Sequence, residues 1–319
     1  MSEGLVLPDS GTRRTTTAAA GLLVLVTAVW GSTFIIIKDV VRTLPVPDFL
    51  ALRFLVAAAV MVPVFWRPLR RLSRRSALRG LALGAVYGLA QVLQTFGLAH
   101  TSAAVSGFVT GMYVVLTPVL GAVLLGQRAP ASTWFAVGLS TAGLGVLALN
   151  GFAVGTGELL VLGSAFLYAL HIVALGLWSG AQEALGLATI QMVAIAGLCT
   201  ISALPHGIEL PSTAGAWAAV FYTAIVAGAF TLIAQTWAQA HLPATRAAVI
   251  MTLEPVFAAL FAVLLGGEQL TARMLVGGLL VLAAMYVVEL TPGRPSAPRA
   301  TRRRLRGSRA APRSPDPAG

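Results

Sequence analysis

Charged residues are scarce in this chain of 319 residues. Only 10% of the residues are Asp, Glu, Lys or Arg, whereas 57% are hydrophobic and the mean hydropathy is +0.85. A soluble domain normally has about 25% charged residues, so this chain has too little charge to cover a water-facing surface of its length. The scarcity excludes an ordinary soluble domain and predicts a polytopic membrane protein.

Cysteine and nucleotide-binding signatures are also nearly absent. Cys199 is the only cysteine, so an intramolecular disulfide is excluded. The sequence Gly-x-x-x-x-Gly-Lys-Ser/Thr does not occur, which argues against an ATP-driven pump on this chain. No group of His, Cys, Asp and Glu has the spacing of metal ligands. We therefore expect neither a metal nor another cofactor.

Ten long apolar segments make up most of the chain. Crossing a bilayer as a helix takes roughly 20 residues, and each segment is about that long. None alternates in polarity as the strands of a membrane barrel do, so the predicted fold class is all-α. The first segment continues to Ile37 and is too long for the apolar core of a signal peptide, which predicts an uncleaved first helix. The others span about residues 47–66, 78–98, 103–125, 132–149, 157–178, 187–205, 215–236, 245–266 and 271–290.

An internal repeat relates the two halves of the chain. The heptad that begins at Gln94, QTFGLAH, recurs 141 residues later as QTWAQAH, beginning at Gln235. At the same offset identities continue for about fifty residues, for example at Gly126 and Gly267. The repeat predicts two five-helix units, residues 18–149 and 150–290.

Lys and Arg are distributed very unevenly. If residues 67–79, with six arginines, are cytoplasmic, then 18 of the 22 basic residues lie inside. Only Lys38, Arg42 and Arg273 lie outside, and Arg53 falls within a helix. This positive-inside bias predicts that both termini lie in the cytoplasm. Because each unit has five helices, the second copy enters the membrane from the opposite side, which makes the repeat inverted.

The two ends of the chain are polar. Residues 1–17 and 291–319 are predicted to be disordered cytoplasmic tails. Eight arginines follow Thr291, and we expect the C-terminal tail to fix the topology and contact anionic lipid. A nucleic-acid or protein-binding role for this tail is the alternative.

Two ionisable residues fall inside predicted helices, where a charge costs several kcal/mol. Glu254 lies about nine residues into the ninth helix and is followed by Pro255, which removes a backbone donor and suits a polar cavity. A buried carboxyl group bonded to a neighbouring helix is the alternative. Arg53 in the second helix either extends to the headgroups or pairs with a carboxylate.

Polar residues form stripes on two further helices. Thr110, Tyr113 and Thr117 share a face of the fourth helix, and Ser164, Tyr168 and His171 share a face of the sixth. At the 141-residue offset Tyr113 corresponds to Glu254. Such stripes face protein or a water-filled cavity, although hydrogen bonds between helices would produce the same pattern.

Four short motifs, together with the two five-helix units, resemble the drug/metabolite transporter superfamily of the EamA type. The resemblance extends from about Ala18 to Leu290, and the first copy departs from it by having Tyr113-Val114 and Gly126-Gln127. It implies a ten-helix inner-membrane carrier that moves a small metabolite by alternating access, often as an exporter. The motifs are Trp30-Gly31-Ser32-Thr33-Phe34, Gly163-Ser164-Ala165-Phe166, Glu254-Pro255 and Gly267-Glu268.

We therefore predict a secondary-active transporter, not an enzyme, for a small metabolite such as an amino acid. Proton coupling through Glu254 and a homodimer are left open. A membrane sensor or scaffold is one alternative. An intramembrane enzyme is another, but Ser164 and His171 lie two helical turns, roughly 10 Å, apart. The predicted substrate-binding residues are Trp30, Ser32, Arg53, Tyr113, Thr117, Tyr168, His171 and Glu254.

Overall fold

The computed structural model describes residues 10–126, 130–150, 153–178, 183–242 and 250–290. Within these ranges the chain is helical, apart from turns and one short hairpin that pairs Leu149–Asn150 with Ala153–Val154. The predicted C-terminal tail, residues 291–319, lies outside the described residues. The first helix begins at Ser10, inside the segment that we predicted to be a disordered N-terminal tail.

The described residues contain thirteen α-helices, one 3₁₀ turn and one π-helix. In the first half they are α1 Ser10–Val40, α2 Val46–Val64, α3 Trp66–Arg70, α4 Arg74–His100, α5 Ala103–Gly111, α6 Tyr113–Leu125 and α7 Ala131–Ala148. In the second half they are α8 Thr156–Trp178, α9 Ala184–Ala203, α10 Ala214–Phe221, α11 Thr231–Ala240, α12 Glu254–Leu264 and α13 Ala272–Leu290. A 3₁₀ turn covers Leu204–His206, and a π-helix covers Tyr222–Phe230.

These helices have the lengths and surfaces of a membrane protein. In the described part of the chain, six helices are long and apolar enough to cross a bilayer, and four more apolar helices are shorter. Large apolar side chains lie open on the outside of the bundle, such as Val123 with 70% and Ile201 with 69% exposure. A surface of this kind is suited to lipid, and it supports the predicted class of all-α polytopic membrane protein.

The fourth apolar segment of each half contains a break at the same place. Met112 separates α5 from α6, and its N–H donates to Val109 O, three residues back, at 3.2 Å. In the second half the N–H of Leu253 donates to Ile250 O at 3.0 Å, directly before α12. Met112 and Leu253 are 141 residues apart, so both breaks fall at the offset of the sequence repeat.

Because of the break, Pro255 has a different position in its helix from the one that we expected. We expected this proline to lie inside a continuous helix and to leave a carbonyl group unsatisfied. Instead the helix restarts at Glu254, so Pro255 lies at its N-terminus. An N–H at that position has no partner within the helix, so proline is tolerated there without loss.

The same two helices end in matching turns. Gly126 has a φ of 62° and Gly267 a φ of 64°, and these positions are again 141 residues apart. This left-handed conformation is easily adopted only by glycine, which explains the residue type at both positions.

Helices of one half pack mainly against helices of the other half. In the described residues α4 packs on α8 and α9, α2 on α9, and α7 on α13, while α1 packs on α11 and α12. Close contacts use glycine, since a Cβ on Gly107 would lie 2.5 Å from the Ala258 Cβ. Gly111 similarly faces Pro255. The α5–α12 contact brings the two broken segments side by side.

Candidate functional site

A buried arginine on α2 begins a chain of polar contacts. Arg53 is only 7% exposed, and its Nη1 donates to Gln91 Oε1 on α4 at 3.4 Å. The Gln91 amide then donates to the Tyr87 hydroxyl group at 3.3 Å. Arg53 Nε has no hydrogen-bond acceptor among the described residues. Arg53 is therefore buried instead of extending to the headgroups, and it forms no ion pair with a described carboxylate such as Glu254. Part of its hydrogen-bonding capacity is unused.

The contacts continue from α4 to α5 and α8 through Gln94. The Tyr168 hydroxyl group donates to Gln94 Oε1 at 2.8 Å, and Gln94 Nε2 donates to Thr110 Oγ1 at 3.1 Å. The Tyr168 ring meets the Tyr87 ring edge to face, with centroids 5.2 Å apart. Tyr87 makes the same kind of contact with His171, also at 5.2 Å.

His171 connects the aromatic group to α9. Its Nε2 lies 2.7 Å from Gln191 Oε1, and the Gln191 amide donates to the Leu187 carbonyl group at 3.1 Å. A glutamine oxygen that accepts a hydrogen bond fixes the protonated nitrogen of the imidazole ring as Nε2. The contact therefore orients the ring against Tyr87.

The polar face of α4 was missed in the sequence analysis. Tyr87, Gln91 and Gln94 occur at positions i, i+4 and i+7, which is the same spacing that identified the stripe on α8. Gln94 was noticed only as part of the repeated heptad. Applying the spacing rule to the third apolar segment would have found all three.

Glu254 is the first residue of α12, directly after the break. It is partly exposed, and it has no hydrogen-bond donor or ion-pair partner within the described ranges. The N-terminal end of a helix has a partial positive charge that favours a carboxylate. The carboxyl group lies within electrostatic reach of the Tyr87 and Tyr168 hydroxyl groups. Glu254 is therefore available to a ligand or a proton.

Arg53, like Glu254, lies within electrostatic reach of Tyr87 and Tyr168. The described residues contain no salt bridge between Arg53 and Glu254. The arrangement can accept a polar solute that has an anionic group, a cationic group or both, with aromatic rings beside it.

The other four predicted site residues lie on α1 and α6. Trp30 Nε1 donates to Ala227 O at 3.1 Å and to Thr231 Oγ1 at 3.0 Å, and Ser32 Oγ lies 2.8 Å from the Tyr222 hydroxyl group. Both residues therefore join α1 to the π-helix and α11. Thr117 Oγ1 donates to the carbonyl oxygen of Tyr113, within α6, at 2.7 Å. Tyr113 itself is half-buried on α6 and corresponds to Glu254.

The residues considered for an enzyme do not form a catalytic pair. Ser164 is fully buried, and its hydroxyl group donates to Val161 O within α8 at 2.7 Å. His171 is bonded to Gln191 instead. In the ranges that the structure describes, no three His, Cys, Asp or Glu residues are grouped so that they could hold a metal ion.

Comparison with known proteins decides the family. The model of the EamA-like transporter family matches the chain twice, over residues 17–149 and 155–290. The chain belongs to the EamA-like transporter family. The resemblance predicted from the motifs is therefore confirmed, and the protein is a membrane transporter in general terms.

Two relatives of this EamA-family protein come from Archaeoglobus fulgidus, and each is named an uncharacterized transporter. One is 29% identical over 269 residues, covering 84% of this chain and 84% of the relative. The other is 28% identical over 285 residues, covering 83% of this chain and 95% of the relative. A solved crystal structure, described only as that of a protein, superposes with a TM-score of 0.60 at 18% identity, covering 86% of this chain and 97% of that chain. At that identity the superposition shows a shared fold alone.

Proposed function

We propose that this EamA-family transporter is a secondary-active carrier that exports a small metabolite, such as an amino acid or a related compound, by alternating access. One observation carries the proposal: Glu254, a carboxyl group without a hydrogen-bond or ion-pair partner among the described residues, begins a broken helix and lies within electrostatic reach of the same tyrosines as Arg53. Secondary transporters commonly place substrate and coupling ions at such interrupted helices near the bilayer midplane.

The proposed architecture is ten crossing helices in two inverted five-helix repeats, residues 18–149 and 150–290. Three matches at one offset support it, namely the repeated heptad, the breaks at Met112 and Leu253, and the turns at Gly126 and Gly267. The two separate matches of the family model also support it. Gln94 and Gln235 give a further parallel, because each donates to a residue sixteen positions later, Thr110 and Met251.

In the proposed site, charged residues bind the ionic groups of the solute and aromatic rings contact the rest of it. Arg53 binds a carboxylate or another anionic group of the solute through its unused donor. Glu254 either holds an ammonium group or exchanges a proton as the carrier turns over. Tyr87 and Tyr168 form an aromatic wall on which a cationic or apolar part of the solute rests. We propose no metal or other cofactor in this cycle.

The proposed location is the inner (plasma) membrane, with residues 67–79 and both termini in the cytoplasm. Contacts between loops are consistent with it, because each one joins residues that this topology puts on one side. Ser76 Oγ donates to Glu183 Oε2 at 2.6 Å, and Thr101 Oγ1 donates to Glu158 Oε1 at 2.7 Å. A Ser73→Cys variant in a Cys199→Ser background tests the orientation. Labelling of that cysteine in intact cells by an impermeant maleimide would overturn it.

The function is tested in two steps. Comparing metabolites in the medium of a deletion strain and an overexpressing strain identifies the solute, and we expect it to accumulate outside the overexpressing cells. The purified protein in liposomes is then assayed for uptake of that solute, with and without an imposed proton gradient. Uptake by the wild type supports a carrier. Binding without uptake would instead identify a sensor, and chemical conversion of the solute would identify an enzyme.

A further inference from the structure

Glu268 connects three parts of the molecule at one end of the bundle. It follows Gly267 in the turn after α12, and its carboxylate lies 3.2 Å from the Lys38 ammonium group on α1. The same carboxylate accepts hydrogen bonds from the backbone N–H groups of Ala103 at 2.7 Å and Ala104 at 3.3 Å, at the start of α5. One carboxylate therefore joins α1, α5 and the end of α12.

These contacts join the two repeats. Lys38 and Ala103 belong to residues 18–149, whereas Glu268 belongs to residues 150–290. The pair is largely shielded from water, since the side chains of Lys38 and Glu268 are 20% and 15% exposed. An ion pair with backbone donors in this position is stronger than one on an open surface, yet it can still be exchanged for water when the helices separate.

The half of the bundle between Glu254 and Glu268 is tightly packed. A Cβ on Gly31 of α1 would lie 2.8 Å from the Ala258 nitrogen of α12, and a Cβ on Gly107 of α5 would lie 2.5 Å from the Ala258 Cβ. Ala258, Ala262 and Ala103 are fully buried. These contacts show that α1 and α5 both pack directly against α12 at Ala258.

Solvent reaches the other side of this contact. A cavity of about 460 Å³ lies beside it, lined by Lys38, His100, Ser102, Glu158 and their neighbours. The ion pair is therefore at the boundary between a polar cavity and the packed half.

The first repeat has no carboxylate at the matching position. The residue 141 positions before Glu268 is Gln127, which has no charge to offer a lysine. Because the backbone turns at Gly126 and Gly267 match, the charge at position 268 is an addition to the shared fold and not a requirement of the turn.

We propose that the contact of Glu268 with Lys38 and the start of α5 is a latch that holds this end of the transport path closed. Release of the latch lets α1 and α5 separate from α12, so that the site opens towards the cavity at Lys38. The inference rests on the proposed carrier function. Its test below reads the opening of the path directly and needs no substrate.

The reporter is a cysteine at position 106. Ser106 on α5 is fully buried, and its hydroxyl group has no hydrogen-bond partner among the described residues, so a Ser106→Cys change in a Cys199→Ser background removes no known contact. The initial rate of labelling by an impermeant maleimide is measured in intact cells and in inside-out vesicles. We expect slow labelling of the reporter alone.

Glu268→Gln keeps an oxygen that can accept from Ala103 but removes the ion pair. We expect it to raise the labelling rate about fivefold from one face of the membrane, which corresponds to about 1 kcal/mol. Lys38→Gln should give the same rise, and the double variant no more, because both changes break one contact. If Glu268→Gln does not fold, Lys38→Gln provides the same test.

Asp39→Asn is the matched control. Asp39 in the last turn of α1 pairs with Arg42 in the following turn at 3.2 Å, but these side chains are 58% and 68% exposed and do not join the two repeats. We expect its labelling rate to equal that of the reporter alone. An equal rise in the control, or no rise in Glu268→Gln from either face, would overturn the latch.

Two further readouts separate the possible failures. Cys199 is fully buried on α9, so its labelling in a chain that retains it should not change in Glu268→Gln. Faster labelling of Cys199 would mean general loosening and would also overturn the proposal. Increased labelling of Glu268→Gln without solute uptake in liposomes would support the latch but contradict the proposed carrier function. Solute uptake without increased labelling would support the carrier function but contradict the latch.

Discussion

The interrupted segments of the two halves share a backbone but differ in chemistry. In both segments the helix breaks and restarts four residues after the carbonyl group that accepts the tightened hydrogen bond. Both segments end at a glycine with a φ near 60°. The restarting residue is Tyr113 in the first half and Glu254 in the second. The residue after the final glycine is Gln127 in the first half and Glu268 in the second.

The two interrupted segments therefore have a symmetric backbone but an asymmetric distribution of charged side chains. Both carboxylates on these segments belong to the second half. Glu268 pairs at 3.2 Å with Lys38 of the first half, so opposite charges meet there across the boundary between the halves. Arg53, which like Glu254 lies within electrostatic reach of Tyr87 and Tyr168, also belongs to the first half. Movement of one half against the other would change the contact between Glu268 and Lys38.

The largest effect is expected from removing the charge that distinguishes Glu254 from Tyr113. Glu254→Gln keeps the shape but cannot exchange a proton or pair with an ammonium group, so we expect the transport rate to fall roughly 10- to 100-fold, the loss of about 1.5–3 kcal/mol from a charged hydrogen bond. The measurement is the initial rate in liposomes against pH at equal protein levels.

Tyr113→Phe at the matching position is the control, and we expect a much smaller loss because no charge is removed. Equal rates for wild type and Glu254→Gln at every pH would exclude Glu254 from the mechanism. Loss of the pH dependence with solute exchange retained would favour proton coupling over substrate binding.

The next effect concerns the close contact between the two broken segments. Gly107→Ala places a methyl group 2.5 Å from Ala258 Cβ, and overpacking of this kind costs about 1–3 kcal/mol. Gly138→Ala on α7 is the control, since a Cβ there meets nothing within 4 Å. We expect a lower thermal unfolding midpoint in detergent for Gly107→Ala alone, and equal midpoints would contradict the packing at this contact.

Substitution of the two glutamines of the repeated heptad should lower the stability of the protein by different amounts. Gln94 bonds to Tyr168 and Thr110, whereas Gln235 has, among the described residues, one weak contact with Met251 Sδ at 3.7 Å. Gln94→Leu leaves the buried Tyr168 hydroxyl group unsatisfied and should cost about 1–2 kcal/mol of stability, and Gln235→Leu about 0.5 kcal/mol or less. Equal losses, measured as unfolding midpoints, would mean that the halves share a chemical role here.

Substitutions at the two glycine turns should have equal effects in the two halves. Gly126→Ala and Gly267→Ala each force a left-handed conformation on an L residue, at about 1–2 kcal/mol, without any steric contact from the added Cβ. We expect similar reductions of the unfolding midpoint for both variants. A large difference between them would show that the turns are not equivalent in energy.

The class of the protein and the repeat offset could be predicted from sequence because they depend on patterns along the chain. Scarce charge indicated membrane helices, and the heptads at Gln94 and Gln235 set the offset at which the breaks and turns match. The break itself was not predicted, since Met112 and Leu253 are ordinary apolar residues without a helix-breaking signal. Pro255 was noticed, but its role depends on where the helix restarts.

The site was predicted only in part because side-chain partners depend on packing between distant helices. The rings of Tyr168 and His171 contact the Tyr87 ring, and Arg53 and Glu254 lie within electrostatic reach of it. Trp30 instead bonds to the π-helix, and no sequence pattern identified the carbonyl group of Ala227 as its acceptor. Polarity indicated which residues need a partner, but the tertiary fold decided which partner each one found.

Packing across the halves has a consequence for biosynthesis. The main partners of α1, α2, α4 and α7 are helices that the ribosome makes later. At about 5–20 residues per second, the roughly 100 residues from the end of α4 to the end of α9 take about 5–20 s to synthesise. During that time Arg53 and Gln91 are inserted without α8 and α9 beside them. The helices of the first half must therefore remain in the bilayer without their main packing partners. The bundle can assemble fully only after the second half has been inserted.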